Sequence, residues 1–170
     1  MTNPKNNTII VPMKDFKISE HFKFYELTKS KDHPELVLEN RKHFAAEPFL
    51  SRLIQSSEYL LEAIRDEINS DEYLHKFKVS KIPLMVLNGG RSPELNSVVG
   101  GAIASQHLFS RLNDGAYDIT CPFMGAEALG WVIQNQVGVM WHQLRVYPGR
   151  NFCHIGMPLG RRDGQVDVIE

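Results

Sequence analysis

The sequence predicts a single α+β domain, in which a small and mostly antiparallel sheet is backed by one long helix. Three observations carry that expectation. From Phe49 to Ile68 the apolar residues Phe49, Leu50, Leu53, Ile54, Leu60, Leu61, Ile64 and Ile68 recur at a helical period with charged residues between them, the pattern of an amphipathic helix. Ile82-Pro83-Leu84-Met85-Val86-Leu87 is an apolar run of strand length, ended by Asn88-Gly89-Gly90. Leu144-Arg145-Val146-Tyr147 and Phe152-Cys153-His154-Ile155 flank Pro148-Gly149 as the two arms of a hairpin. A chain of 170 residues has room for one sizeable core and not for two comfortable ones.

Taken in order, residues 1–15 are polar and read as an N-terminal tail, with Thr8-Ile9-Ile10-Val11 as part of that tail or as an edge strand. The domain proper is expected over residues 16–159. Capping residues beside aromatics predict a short packed helical turn from Phe22 to Leu27 that buttresses the core. Pro48 suits the first turn of the long helix, where no intrahelical donor is lost. Ser92-Pro93-Glu94-Leu95-Asn96 has the capping serine and first-turn proline of a short helix, and Gly100-Gly101 breaks it. Tyr117 to Thr120 resembles a strand and Met124 to Gln136 a second helix. Residues 160–170 are polar and read as a loose C-terminal tail.

Composition narrows the class of protein. With 42% hydrophobic and 23% charged residues the chain is an ordinary soluble globular one, which excludes a disordered or fibrous class. A net charge of -1 argues against holding nucleic acid by bulk electrostatics, because counterion release needs a basic surface. No apolar run approaches the roughly 18 residues of a membrane helix. The first residues lack the apolar core and small-residue cleavage site of a secretory signal, so a cytoplasmic location at synthesis is expected. Cys121 and Cys153 are expected to be free thiols, in keeping with a reducing compartment. Nothing in the chain specifies an oligomeric state.

The chemistry concentrates between Asn88 and Ile119, a glycine-rich run that places an arginine, a histidine and an aspartate in one short segment. A second histidine follows in the strand-like Phe152 to Gly156. Two imidazoles and one carboxylate from separate elements are the usual donors of a catalytic zinc with an open fourth position. Simpler readings compete. His21, His33, His43 and His75 carry no motif and read as surface or core residues, and His142 beside Trp141 reads as structural. Asp114-Gly115 is a turn dipeptide in its simplest reading, and Arg91 has the alternative role of tying loops together through backbone carbonyls. The Gly100-Gly101 pair lacks the following Lys-Ser/Thr of a phosphate cradle.

Arg-Ser-Pro-Glu-Leu-Asn at 91–96, Val-Gly-Gly-Ala at 99–102, Ser-Gln-His-Leu at 105–108 and Ala-Tyr-Asp-Ile at 116–119 resemble the zinc D-Ala-D-Ala carboxypeptidase and L-Ala-D-Glu endopeptidase family, with phage-borne members closest in style. Ile18 to Phe22 and Glu26-Leu27-Thr28 resemble its opening segment. The resemblance implies the fold shared with the Hedgehog signalling domain, with the metal in a cleft on the sheet. It also implies that His107, Asp118 and His154 bind zinc, and that Arg91 contacts a substrate carboxylate or the developing oxyanion. Ser105 is implied as a hydroxyl that bonds substrate or orients a ligand. The implied substrate is a peptidoglycan stem peptide, cleaved by a protein released by lysis or carried in a virion. The alternative is a metal-binding relative that has lost hydrolysis and binds the wall or serves as a virion component.

Two departures from the family pattern matter. His107 and Asp118 are eleven positions apart, a longer spacing than the common one, with the extra residues in Phe109 to Asp114. A surface-loop insertion of this size leaves two ligands on different elements free to meet. Many members also place a glutamate three residues before the last histidine as general base, and here that position is Asn151. Asp114 on the inserted loop is the expected substitute, with Glu127 and His142 as further candidates.

Overall fold

The computed structural model describes residues 14–112, 114–158 and 164–169, so the Thr8 to Val11 run lies outside the described residues. Its helices are α1 (Phe24–Leu27), α2 (Val37–Phe44), α3 (Phe49–Ser56), α4 (Ala63–Ile68), α5 (Asp71–Phe77), α6 (Pro93–Val98) and α7 (Ala126–Asn135), and its strands are β1 (Met85–Asn88), β2 (Ala116–Thr120), β3 (Gln143–Tyr147), β4 (Phe152–Gly156) and β5 (Gln165–Val168). The strands form one sheet in the order β1-β2-β4-β3-β5. Every neighbouring pair is antiparallel except β3 and β5, which run parallel. This is the α+β domain expected, and no described helix is long and apolar enough to cross a membrane.

The long helix is continuous through a π-helical segment, Ser57–Glu62, that joins α3 to α4. Its apolar stripe is the core: Leu53, Leu60, Leu61, Ile64 and Ile68 have no solvent exposure, and burying each contributes about 1.5–3 kcal/mol. The sheet adds Val86, Tyr117, Ile119, Leu144, Val146, Cys153 and Ile155, all buried, with Val146 and Cys153 packed against Gly130 and Ala126 of α7. Tyr117 brings a hydroxyl into this apolar layer, and the Ser56 hydroxyl partners it at 2.6 Å. That bond removes the cost of an unpaired buried polar group.

Five elements differ from the sequence expectation, each for a local reason. The strand expected from Ile82 begins only at Met85, because Pro83 has no N–H to give a ladder. Asn69 stands in as a partner there: its side chain accepts from the Ile82 amide at 2.8 Å and donates to the Ile82 carbonyl at 2.9 Å. α2 and α5 were not legible as helices, since α2 buries only Asn40 and Phe44 and α5 only Tyr73. The insertion between His107 and Asp118 is not wholly a surface loop: Phe109 is fully buried against Phe44 and Tyr117 at ring distances of 5.3 and 6.0 Å. Within 160–170, expected as a loose tail, Gln165–Val168 is strand β5 beside β3.

The N-terminal segment is held to the long helix by one carboxylate. Glu62 Oε1 accepts from the Ser19 hydroxyl at 2.6 Å and from the His21 amide at 2.8 Å, and Glu62 Oε2 lies 2.8 Å from His21 Nδ1. Burial alone would raise the Glu62 carboxyl, but these hydrogen bonds outweigh it and hold the group below its ordinary value of 4.5. A carboxyl depressed in the folded state stabilises it above the unfolded value, and the contribution is lost as pH falls through the folded one. Glu62→Gln is therefore expected to lower the unfolding free energy by about 1–2 kcal/mol near neutral pH. The gap between variant and wild type should close below the folded value. Urea denaturation followed from neutral pH downward into acid measures both, and a gap that never narrows would show that the charge contributes nothing.

Candidate metal centre and cleft

The two-residue alternation of the strands separates a core face from a polar one. Cross-strand pairing then aligns one row over the whole sheet: Asn88 opposite Asp118, Asp118 opposite His154, His154 opposite Arg145, and Arg145 opposite Asp167. The register of β1 shifts between Val86 and Asn88, and this irregularity brings Asn88 into the row after Val86 has faced the core. Such bulges re-aim a side chain without ending the strand.

His107 comes to the row from outside the sheet, on the 3₁₀ turn Gln106–Leu108. Its ring is held by the loop that follows β1: His107 Nδ1 donates to the Gly89 carbonyl at 2.8 Å, and the Arg91 amide donates to the His107 carbonyl at 2.8 Å. The loop is itself clamped by Asn40, a fully buried side chain of α2. Asn40 donates to the carbonyls of Thr28 and Gly90 and accepts from the Ser92 amide. Both glycines are required by this packing. A Cβ at Gly89 would strike the Leu27 carbonyl, and one at Gly90 would strike the Phe44 ring.

The donors converge on Asp118. Its Oδ1 accepts from His154 Nδ1 at 2.9 Å and lies 3.5 Å from His107 Nε2, while Oδ2 accepts from Asn88 at 3.0 Å and from Arg91 at 3.2 Å. Burial pushes the Asp118 carboxyl up, but the charge and hydrogen bonds of His107 and His154 reverse this and hold it well below the usual carboxylate range. Burial drives His107 the other way, toward the neutral imidazole, against the pull of Asp118. An ionised carboxylate and a neutral imidazole are the protonation states in which each offers a lone pair to a cation.

One ligand atom from each of His107, Asp118 and His154 lies within 4.8 Å of the others, so these three residues could hold a metal ion. The donor chemistry fits. Two imidazoles and a carboxylate suit a borderline divalent cation. The bond from His107 Nδ1 to a backbone carbonyl leaves Nε2 as the free donor atom, an orientation usual for metal-binding imidazoles.

Around the trio is a cavity of about 540 Å³ whose lining includes Arg91, Ser105, His107, Asp118, His142 and His154. Two candidates from the sequence lie elsewhere. Asp114 is buried beside Ser110 and Arg111, where burial raises its carboxyl, and it does not line the cleft. Glu127 is exposed on the first turn of α7. Asn151, at the position where a base was sought, has a left-handed backbone with φ of 53°, which asparagine tolerates better than most residues. Its side-chain oxygen accepts from the Ala126 amide at 2.9 Å and so caps α7. Its side chain serves the fold and does not line the cleft.

Sequence reasoning missed Asn40 and Asn88. Asn88 was visible only as part of a turn, and the strand irregularity that aims it has no sequence mark. Asn40 lies in a stretch with no apolar period, and its three partners are distant along the chain. The family described as Peptidase M15 matches residues 40–156, which include Arg91, Ser105, His107, Asp118 and His154. No curated protein and no solved structure matches the chain. Because Asn88 orients the central carboxylate, Asn88→Ala is expected to weaken divalent-ion binding roughly tenfold with the fold retained. Competition with a chromophoric chelator, beside a far-UV circular dichroism spectrum, measures this. Unchanged affinity would remove Asn88 from the centre.

Proposed function

Because the chain belongs to the peptidase M15 family, we propose that it is a zinc metallopeptidase that hydrolyses peptidoglycan stem peptides in phage-type cell-wall degradation. It would act as a D,D-carboxypeptidase or as an L-Ala-D-Glu type endopeptidase, after release by lysis or from a virion. The observation that carries this reading is the meeting of His107, Asp118 and His154 in a cleft that also holds Arg91. In the proposal these three residues are the zinc ligands. Zinc there supplies Lewis-acid polarisation of an amide carbonyl and acidifies water.

The remaining work falls to the chain's own side chains. Arg91 gives one guanidinium nitrogen to Asp118, and the rest of its planar fork is left to bind a substrate carboxylate or the oxyanion of the attacked carbonyl. Ser105, beside His107 on the cleft wall, offers a hydroxyl to the peptide backbone. The proton-handling role first sought at Asp114 is reassigned to His142, which lines the cleft where Asp114 and Glu127 do not. An imidazole accepts and returns a proton near neutral pH.

A second reading rests on one observation. Asp118 is the only carboxylate among the described residues that line the cleft, and it is committed to the two histidines and Arg91. A metal-binding relative without hydrolysis, acting as a wall-binding or virion component, would have such a cleft. Digestion of muropeptides by the zinc-loaded protein, followed by mass spectrometry, separates the two. Under the first reading, product forms with wild type and not with His107→Ala. Arg91→Ala should lower turnover about a hundredfold, and His142→Ala should remove the acidic limb of the pH–rate profile. No product from wild type carrying one equivalent of zinc would favour the second reading.

A further inference from the structure

The chain has a net charge of -1, yet its cleft is strongly basic. Among the described residues four arginines line it, Arg91, Arg111, Arg145 and Arg150, against the single carboxylate of Asp118. Arg91 is paired with that carboxylate at 3.2 Å, and Arg145 meets Asp167 at 3.5 Å. Arg111 and Arg150 differ: both are exposed, and among the described residues neither has a carboxylate within ion-pair distance. Asp114 is close enough to feel the charge of Arg111, but it is buried and outside the cleft.

The two arginines are carried by elements that fix their backbones. Arg150 ends the 3₁₀ turn Pro148–Arg150 between β3 and β4, and Asn151 anchors that turn to α7. Arg111 sits on the lengthened segment after His107, which is pinned by the buried Phe109 ring and by a 2.6 Å bond from Arg52 to the Phe109 carbonyl. Near Arg150, Tyr147 and Phe152 stack at 4.5 Å and also line the cleft, an apolar surface for the aliphatic part of a ligand. Unpaired like charges gathered in one concave site repel each other, and an anion that bridges them relieves the repulsion.

We propose that Arg111 and Arg150 form a carboxylate-binding subsite separate from Arg91, and that this cleft selects peptides carrying an extra carboxylate near the reacting amide. The proposal rests on the peptidase reading for its substrate class, while its charge preference is tested by binding alone. Calorimetric titration of the full-length, zinc-loaded protein would compare two forms of one acidic wall peptide, the free acid and its side-chain amide. Wild type should bind the acid roughly tenfold more tightly, as expected for charge-assisted hydrogen bonds. In the Arg111→Gln/Arg150→Gln double variant that ratio should fall to about one, with an unchanged circular dichroism spectrum. The control Lys31→Gln, an exposed cation outside the cleft, should keep the wild-type ratio. Equal binding of the two peptides by wild type, or an undiminished ratio in the double variant, would overturn the subsite. Tighter binding of tripolyphosphate than of the acid peptide, with the same dependence on both arginines, would overturn the peptide assignment in favour of a phosphate polymer. If the acid is preferred and neither peptide is cleaved, the subsite stands and the peptidase reading fails.

Discussion

A carboxylate carried into a protein interior retains its charge only where donors replace the water it has lost. Asp118 is almost buried, and it keeps its charge because Asn88, Arg91 and His154 donate to it and His107 stands at 3.5 Å. Those partners come from β1, the loop after β1, β4 and the 3₁₀ turn after α6. Four separate segments are thereby committed to one point. The supporting contacts look outward from the same point: Gly89 holds the His107 ring, Asn40 holds the glycine loop, and Leu27 and Thr28 hold both from behind.

The sheet makes this convergence economical in residues. Alternation along each strand puts Tyr117 and Ile119 into the core while Asp118 faces the cleft, and it puts Cys153 and Ile155 inward while His154 faces out. The same strands that bury the apolar layer against the helices therefore present the polar row. A shift of register by one residue would bury that row and expose the core. Register is accordingly set by the whole core and not by the site, and the positions of Asp118 and His154 inherit the rigidity of the hydrophobic packing.

Much of this was legible in the chain. The helical period of Phe49 to Ile68, the apolar run before Asn88-Gly89-Gly90 and the hairpin arms about Pro148-Gly149 each encode a local pattern that burial enforces, and the helix, strand and hairpin lie where those patterns put them. The motif context of His107, Asp118 and His154 singled out three residues whose ligand atoms the fold brings within 4.8 Å of one another. Asp114 was misleading because it is close in sequence to His107 and Asp118 but is folded inward with the insertion. Asn151, which cannot carry a proton, is turned by a left-handed backbone to cap a helix.

The sequence by itself determined the long helix, the strand before Asn88 and the hairpin, and which side chains have the chemistry to bind a cation, because those properties depend on periodicity and functional groups within a few residues. Only the tertiary structure decided which polar groups share a cleft. Asn40 reaches Gly90 across fifty positions, Asn88 reaches Asp118 across thirty, and Arg111 and Arg150 line one cavity from separate loops. Distances of that kind are set by the packing of all the elements together, and no local pattern records them.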